Sequence, residues 1–131
     1  MEDLLSNKGF KIIVIILIIL IFIIVLSTSS QKSVTRIDNK NDFSEILKKD
    51  DTVIIDVRTK DEYNSGHIPK AINIPYNELE TKVTYDKDKH IVVYSKNDSR
   101  SHMATVILEE MGYKKIYEGD ITKYEGKLVT D

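Results

Sequence analysis

One apolar run near the N-terminus restricts what this chain can fold into. Residues 12–26 are fifteen consecutive apolar side chains, nearly all of them Ile, Leu or Val. Fifteen helical residues rise about 22 Å, which is short of the roughly 30 Å hydrocarbon core of a bilayer. Phe10 and the weakly polar residues 27–30 extend the stretch toward about 20 residues. We therefore predict a transmembrane helix over residues 12–29, which leaves about 100 residues for one compact domain.

Three interpretations of this run remain open. The first is an uncleaved signal-anchor, with residues 1–11 as a short N-terminal tail and residues 30–33 as a tether to the domain. The second is a secretory signal cleaved near Ser29, and the third is a buried helix of a soluble protein. Lysine and arginine are balanced on the two sides of the run, but the signal-like layout favours an N-terminus inside the cell. We therefore expect a single-pass membrane protein with an extracytoplasmic domain.

Composition gives no support for nucleic-acid, metal or cofactor binding. The chain has 19 basic and 21 acidic residues, so it has no basic excess of the kind that binds nucleic acid. It contains no cysteine, and its three histidines are scattered without the spacing of metal ligands. We predict no metal, no cofactor and no nucleic-acid partner.

Buried strands alternate with helical segments along residues 34–131. Thr52 to Asp56 and His90 to Tyr94 are nearly continuous apolar runs, which are typical of strands buried on both faces of a sheet. The pattern predicts further strands at residues 34–37, 71–75 and 115–117, and helices or helical turns at residues 43–48 (capped by Asn41 or Asp42), 61–63, 76–79 and 101–111. This alternation indicates an α/β fold with a mostly parallel sheet between helices.

The candidate site follows the strand that ends at Tyr94. Residues 95–100 form a polar loop that leads into a helix, and such a loop collects unpaired N–H groups at the positive end of the helix dipole. The loop is therefore a candidate anion cradle. A cysteine at its first position would hold a reactive thiolate, but this chain has Ser95 there.

Several motifs carry a specific resemblance. Residues 55–58 read Ile-Asp-Val-Arg, residues 62–63 read Glu-Tyr, and residues 66–75 read Gly-His-Ile-Pro-Lys-Ala-Ile-Asn-Ile-Pro. Val93-Tyr94, Arg100-Ser101 and residues 110–113 continue the match. With these motifs the chain resembles the rhodanese-like domain family. The resemblance implies a five-stranded, mostly parallel sheet flanked by helices over residues 34–131, with the active-site loop at residues 95–100.

The resemblance also assigns roles to residues and identifies departures. Family sulfurtransferases carry, at the position of Ser95, a cysteine that holds the transferred sulfur as a persulfide, which a hydroxyl cannot form. Asp98 stands where family loops usually have glycine, and its carboxylate opposes the binding of an anion. Arg100 matches the loop arginine and is expected to point into the cradle. The anion-binding candidates are Ser95, Lys96, Asn97, Asp98, Ser99 and Arg100.

Four further residues are expected to have structural roles near the loop. They are Asp56, Arg58, Glu62 and His67, with Arg58 expected to pair with Glu62 and His67 to make local bonds.

These observations favour a membrane-tethered, catalytically inactive binding or regulatory module. Its expected partners are the membrane, through residues 12–29, and either a small anion or a protein. One alternative is a docking remnant whose pocket is unused. The other is an enzyme of altered chemistry, either related to the sulfurtransferases or phosphatase-like, that uses Ser95 with a base such as His102 or recruits the thiol of another protein.

Overall fold

The computed structural model describes residues 2–27 and 32–131, which belong to two compact units that meet in sequence between residues 31 and 32. The first unit contains α1 (Glu2–Ser6) and α2 (Lys8–Ser27). Helix α2 has 20 residues with a mean hydropathy of 3.4, and none of them is buried, so it is long and apolar enough to cross a membrane. The predicted span is thus helical as far as residue 27. Its last two residues and half of the predicted tether lie outside the described residues.

The second unit is a parallel five-stranded sheet with helices on both faces, as predicted. The strands are β1 (Val34–Arg36), β2 (Thr52–Asp56), β3 (Ile72–Asn73), β4 (His90–Ser95) and β5 (Ile116–Asp120). The helices are α3 (Lys40–Ile46), α4 (Lys60–Asn64), α5 (Leu79–Lys82) and α6 (Asp98–Glu110), with short 3₁₀ turns at Tyr76–Glu78 and Ile121–Lys123. The spatial order is β1-β5-β4-β2-β3, and every pair is parallel.

The core consists of two apolar clusters, one on each face of the sheet. Alternate residues of β4 point to opposite faces, so that Ile91 and Val93 join the cluster under α5 and α6, whereas Val92 and Tyr94 join the cluster under α3 and α4. All four side chains are fully buried. Burial on both faces explains why this strand is recognisable in the sequence as an apolar run.

Several predicted boundaries are wrong. The helix predicted to end at residue 48 ends at Ile46, the strand predicted at residues 71–75 is only Ile72–Asn73, and the turn predicted at residues 76–79 continues to Lys82. Three others are wrong because a polar side chain or a strand partner extends the element. Helix α3 begins at Lys40 and is capped by Asn39, whose side-chain oxygen accepts the N–H groups of Asn41 and Asp42 at 2.9 and 3.1 Å. Helix α6 begins at Asp98 instead of residue 101. Strand β5 continues to Asp120 because its residues pair with β4 as far as Ser95.

A close contact at Gly119 fixes α3 against the sheet. A Cβ atom at Gly119 would lie 3.1 Å from Cε1 of Phe43 and nearer still to the end of that ring. Phe43 is itself buried and stands edge-on to Tyr124 at a centroid distance of 6.1 Å. The strand position therefore needs a residue without a side chain.

We predict that Gly119→Ala destabilises the domain by about 1–3 kcal/mol, because the new methyl group overpacks the core against Phe43. Chemical denaturation monitored by circular dichroism measures the change. In a Phe43→Leu background the same substitution should cost clearly less, because the smaller side chain can yield. An equal cost in both backgrounds would contradict the steric explanation.

Candidate functional site

A buried ion pair stands at the C-terminal end of β2. Asp56 is fully buried and Arg58 nearly so. The Arg58 guanidinium donates from Nε to Oδ1 of Asp56 at 3.0 Å and from Nη2 to Oδ2 at 2.6 Å. Nη2 also donates to the carbonyl of Gly66 at 2.7 Å. The predicted pairing of Arg58 with Glu62 is therefore wrong. The buried Asp56 carboxylate, two residues away, engages the guanidinium edge-on, and the Gly66 carbonyl takes a further N–H.

The residues around this pair are held by further hydrogen bonds. The Tyr94 hydroxyl accepts the N–H of Ile68 at 3.1 Å, and burial, helped by the Asp56 carboxylate, raises the pKa of Tyr94. His67 is buried and stacks on Tyr63 at a centroid distance of 3.7 Å. Its Nδ1 lies 2.9 Å from the Tyr63 carbonyl, which can only accept, so this nitrogen is the donor. His67 is therefore bonded locally.

Ser95, the last residue of β4, has no exposed surface. Its hydroxyl donates to the carbonyl oxygen of Asn97 and accepts the N–H of Asn97 at 3.3 Å. Asn97 in turn caps α6, with its side-chain oxygen accepting the N–H of Arg100 at 3.2 Å. These bonds start the helix at Asp98, so the predicted six-residue loop is wrong. Only Lys96 and Asn97 lie between the strand and the helix, and both are exposed.

The other loop candidates belong to the first turn of α6. Ser99 is exposed and Arg100 is partly buried. The side chain of Asp98 lies outside the described part of the chain, so the expected effect of its carboxylate stays a prediction.

The Arg100 guanidinium binds a carboxylate on α4. Its Nη1 donates to Oε2 of Glu62 at 2.6 Å, and its Nη2 donates to Oε1 at 2.9 Å. Glu62 Oε2 also accepts the N–H of Thr59 at 3.0 Å, which completes a capping box at the start of α4. Hydrogen bonding to Arg100, more than any other contact, lowers the pKa of Glu62 to about 2. The terminal nitrogens of the loop arginine are thus engaged by the protein itself.

A buried carboxylate beside the loop was missed by the sequence analysis. Glu118 lies in β5 and is 7% exposed. Its Oε1 accepts the hydroxyl of Ser101 at 3.1 Å, and its Oε2 lies 3.9 Å from Nδ1 of His102. The sequence did contain a signal for this burial: Glu118 follows the apolar Ile116 by two positions, and in an extended strand residues two apart lie on the same face. This carboxylate contacts the start of α6 from the neighbouring strand, and its negative charge works against an anion at that helix end.

Metal-ligating side chains do not gather at this edge of the sheet or elsewhere in the parts of the chain that the structure describes. No group of three or more His, Cys, Asp or Glu residues converges in a way that could hold a metal ion there.

Comparison with known proteins identifies the family. A model of the rhodanese-like domain matches residues 39–127. The chain belongs to the rhodanese-like domain family. Among solved structures, a rhodanese with anions from E. coli is 31% identical, with a TM-score of 0.58 over 61% of this chain and 99% of that one. A rhodanese-related protein from Thermoplasma volcanium is 28% identical, with a TM-score of 0.63 over 74% of this chain and all of that one.

Curated relatives of the rhodanese-like family include whole proteins of different size. A sulfurtransferase from Allochromatium vinosum is 27% identical over 84 residues, which cover 63% of this chain and 78% of that protein. A tRNA uridine(34) hydroxylase from Buchnera aphidicola is 29% identical over 92 residues, but the match spans only 30% of its length. The domain is therefore shared between a small sulfurtransferase and a larger enzyme.

We predict that the Glu62–Arg100 pair stabilises the domain above about pH 4.5 and that this contribution is lost as the pH falls toward 2. The pKa of Glu62 is lower in the folded protein than its ordinary value of 4.5, so protonation favours the unfolded chain. Because both groups are partly exposed, the contribution is about 1 kcal/mol. Urea unfolding between pH 7 and pH 2.5 measures the free energy of unfolding at each pH. In Glu62→Gln this free energy should fall less steeply with decreasing pH than in the native chain.

The matched control for this measurement is Glu78→Gln. Glu78 pairs with Lys82 four residues later on an exposed helical surface. Its removal should leave the pH profile close to that of the native chain. Equal profiles for the two variants would contradict the assignment of the acid-sensitive contribution to Glu62 and Arg100.

Proposed function

We propose that this chain is a membrane-tethered rhodanese-like domain that does not transfer sulfur and acts as a binding or regulatory module. The observation that carries the proposal is the hydroxyl of Ser95 at the C-terminal end of β4. The family resemblance assigns the sulfur-carrying cysteine to this position. Oxygen cannot hold a sulfur atom as a persulfide, so the family mechanism has no carrier atom here.

The bonds of the loop favour a protein partner over a small anion. The Ser95 hydroxyl is engaged with the Asn97 backbone, and the terminal nitrogens of Arg100 are engaged with Glu62. An anion would have to displace Glu62 from the arginine and approach the buried carboxylate of Glu118. Each of these steps costs interaction energy that a small ligand must replace.

Helix α2 supports the membrane tether. None of its residues is buried, and it is apolar enough to insert as a signal-anchor. In this proposal the helix remains attached and holds the domain at the extracytoplasmic surface, where a module without cysteine is not exposed to mispairing of thiols.

We predict that the purified chain forms no thiocyanate from thiosulfate and cyanide above the protein-free rate, because the chain has no thiol to carry the transferred sulfur. Ser95→Ala should be equally inactive. Ser95→Cys supplies the missing atom, and mass spectrometry after incubation with thiosulfate can detect a persulfide on it. Turnover by the native chain would contradict the proposal and favour an enzyme of altered chemistry.

We predict that the full chain is recovered with membranes and that a chain without residues 12–26 is recovered in the soluble fraction. Protease added to intact cells should digest the domain, whereas a cytoplasmic control protein should be protected. Recovery of a form shortened near Ser29 in the culture medium would show a cleaved signal peptide instead. Full protection of the domain would reverse the proposed orientation.

A further inference from the structure

The edge strand β3 covers only part of its neighbour β2. Strand β3 has two residues, and they pair with Ile55 and Asp56. On its other side β2 pairs with β4 along all five of its residues, from Thr52 to Asp56. The first half of β2 is therefore a sheet edge without a strand partner among the described residues on the β3 side.

Hydrogen bonds on the two sides of β2 show which of its backbone groups face this open edge. The Asp51 carbonyl and the Val57 N–H both bond to the β4 side, to His90 and Tyr94 respectively. The Asp56 carbonyl bonds to the opposite side, where it accepts the N–H of Ile74. Since successive residues of a parallel strand alternate in the direction of their backbone groups, Thr52 and Ile54 face the β3 side. Ile54 lies opposite the start of β3, and Thr52 lies beyond it.

A groove of about 520 Å³ runs along this half-strand. Apolar side chains of Val53, Ile72 and Tyr85 line it, and Ile72 is exposed although it belongs to a strand.

Lys48, Lys49 and Lys70 also line the groove, against a single acidic residue, Asp50. The Lys49 Nζ lies 5.7 Å from the ring centroid of Tyr117 in β5, so Lys48 and Lys70 supply the charge at the groove itself. Lys70 is held in a left-handed conformation with φ 68° between the turn at Ile68 and β3. The groove therefore combines an open backbone edge, an apolar surface and an excess of positive charge.

We propose that this groove, lined by residues 47–50, 52–54, 70, 72 and 85, binds an extended acidic segment of a partner protein. The segment adds a strand beside β2 in continuation of β3. This inference goes beyond the proposed function, since it names a partner class and a surface away from the Ser95 loop.

Backbone hydrogen bonds and alternating side chains would provide affinity and selectivity. Thr52 to Ile54 extends about 10 Å, so about three residues of an added strand pair with it. Its backbone would bond to the N–H and carbonyl of Thr52 and to the N–H of Ile54, as in other cases of strand addition, since the Ile54 carbonyl already faces Ile72 in the β2–β3 pairing. Side chains of the added strand alternate between the two faces of the sheet, so acidic residues can meet the lysines while apolar ones contact Val53 and Ile72.

The test uses a fluorescein-labelled hexapeptide of alternating glutamate and valine, and the full chain in detergent micelles. We expect saturable binding by fluorescence anisotropy. The triple variant Lys48→Glu, Lys49→Glu, Lys70→Glu should weaken binding at least tenfold. The matched control reverses the same number of charges outside the groove with Lys87→Glu, Lys114→Glu and Lys115→Glu, and it should bind within about twofold of the native chain. Circular dichroism verifies that both variants fold.

Amide hydrogen exchange of the native chain tests the geometry. Peptide binding should slow exchange at Thr52 and Ile54, and a peptide N-methylated at alternate residues should lose this protection and bind weakly. A hexapeptide of alternating lysine and valine serves as the charge control. Absence of binding by the glutamate–valine peptide, equal binding of the lysine–valine peptide, or equal binding of the N-methylated peptide would overturn the proposal. Concentration-dependent protection of the same amides without peptide would also overturn it, since the occupant would then be a second copy of this chain.

Discussion

The buried pair of Asp56 and Arg58 is the interaction on which the candidate site depends. Removing two charges from water is costly, and their mutual attraction compensates only when the remaining polar atoms are also satisfied. Here the carboxylate accepts three donors of Arg58, including its backbone N–H at 2.9 Å, and the guanidinium also bonds to the Gly66 carbonyl. The pair thereby connects the end of β2 to the turn at Gly66. The side-chain amide of Asn73, on β3, donates to the backbone carbonyls of Asp56 and Arg58, each at 3.0 Å.

The bonds that hold this part of the fold do not depend on the sulfur chemistry of the family. The strand end at Ser95, the helix that follows and the Asp56–Arg58 pair are held by bonds that do not require a thiol at residue 95. The polar groups around the start of α6 have internal partners: the Asn97 backbone for Ser95, Glu62 for Arg100 and Glu118 for Ser101. Since these partners occupy polar groups that an anion would use, an anion would have to replace these bonds in order to bind at this helix end.

The sequence predicts the fold well because the strongest signals are local. Residues 52–56 and 90–94 are buried on both faces of the sheet, so their apolar runs are visible without a structure, and the motifs at residues 55–58 and 66–75 determine the family. The location of the loop at Ser95 was predicted for the same reason.

Which charged side chains pair with each other was less predictable, because the pairing depends on tertiary contacts. Arg58 had acidic residues at two positions nearby in sequence, and only the packing of β2 selects Asp56 over Glu62. Arg100 pairs with Glu62, 38 residues earlier. Glu118 was missed because the predicted strand ended at residue 117, before the residue that contacts α6. The open edge of β2 arises because the short strand β3 pairs only with Ile55 and Asp56, and a single sequence does not reveal this register.

The most direct test of this account is anion binding by the Ser95 loop. The midpoint of thermal unfolding of the full chain in detergent can be followed with sulfate, phosphate, thiosulfate and sulfite, against chloride at matched ionic strength. We expect dissociation constants of about 1 mM or weaker, equivalent to about −4 kcal/mol or less favourable. Glu62→Gln should bind these anions more tightly than the native chain, because it releases Arg100. Saturable stabilisation of the native chain with a dissociation constant far below 1 mM, unchanged in Glu62→Gln, would contradict the account.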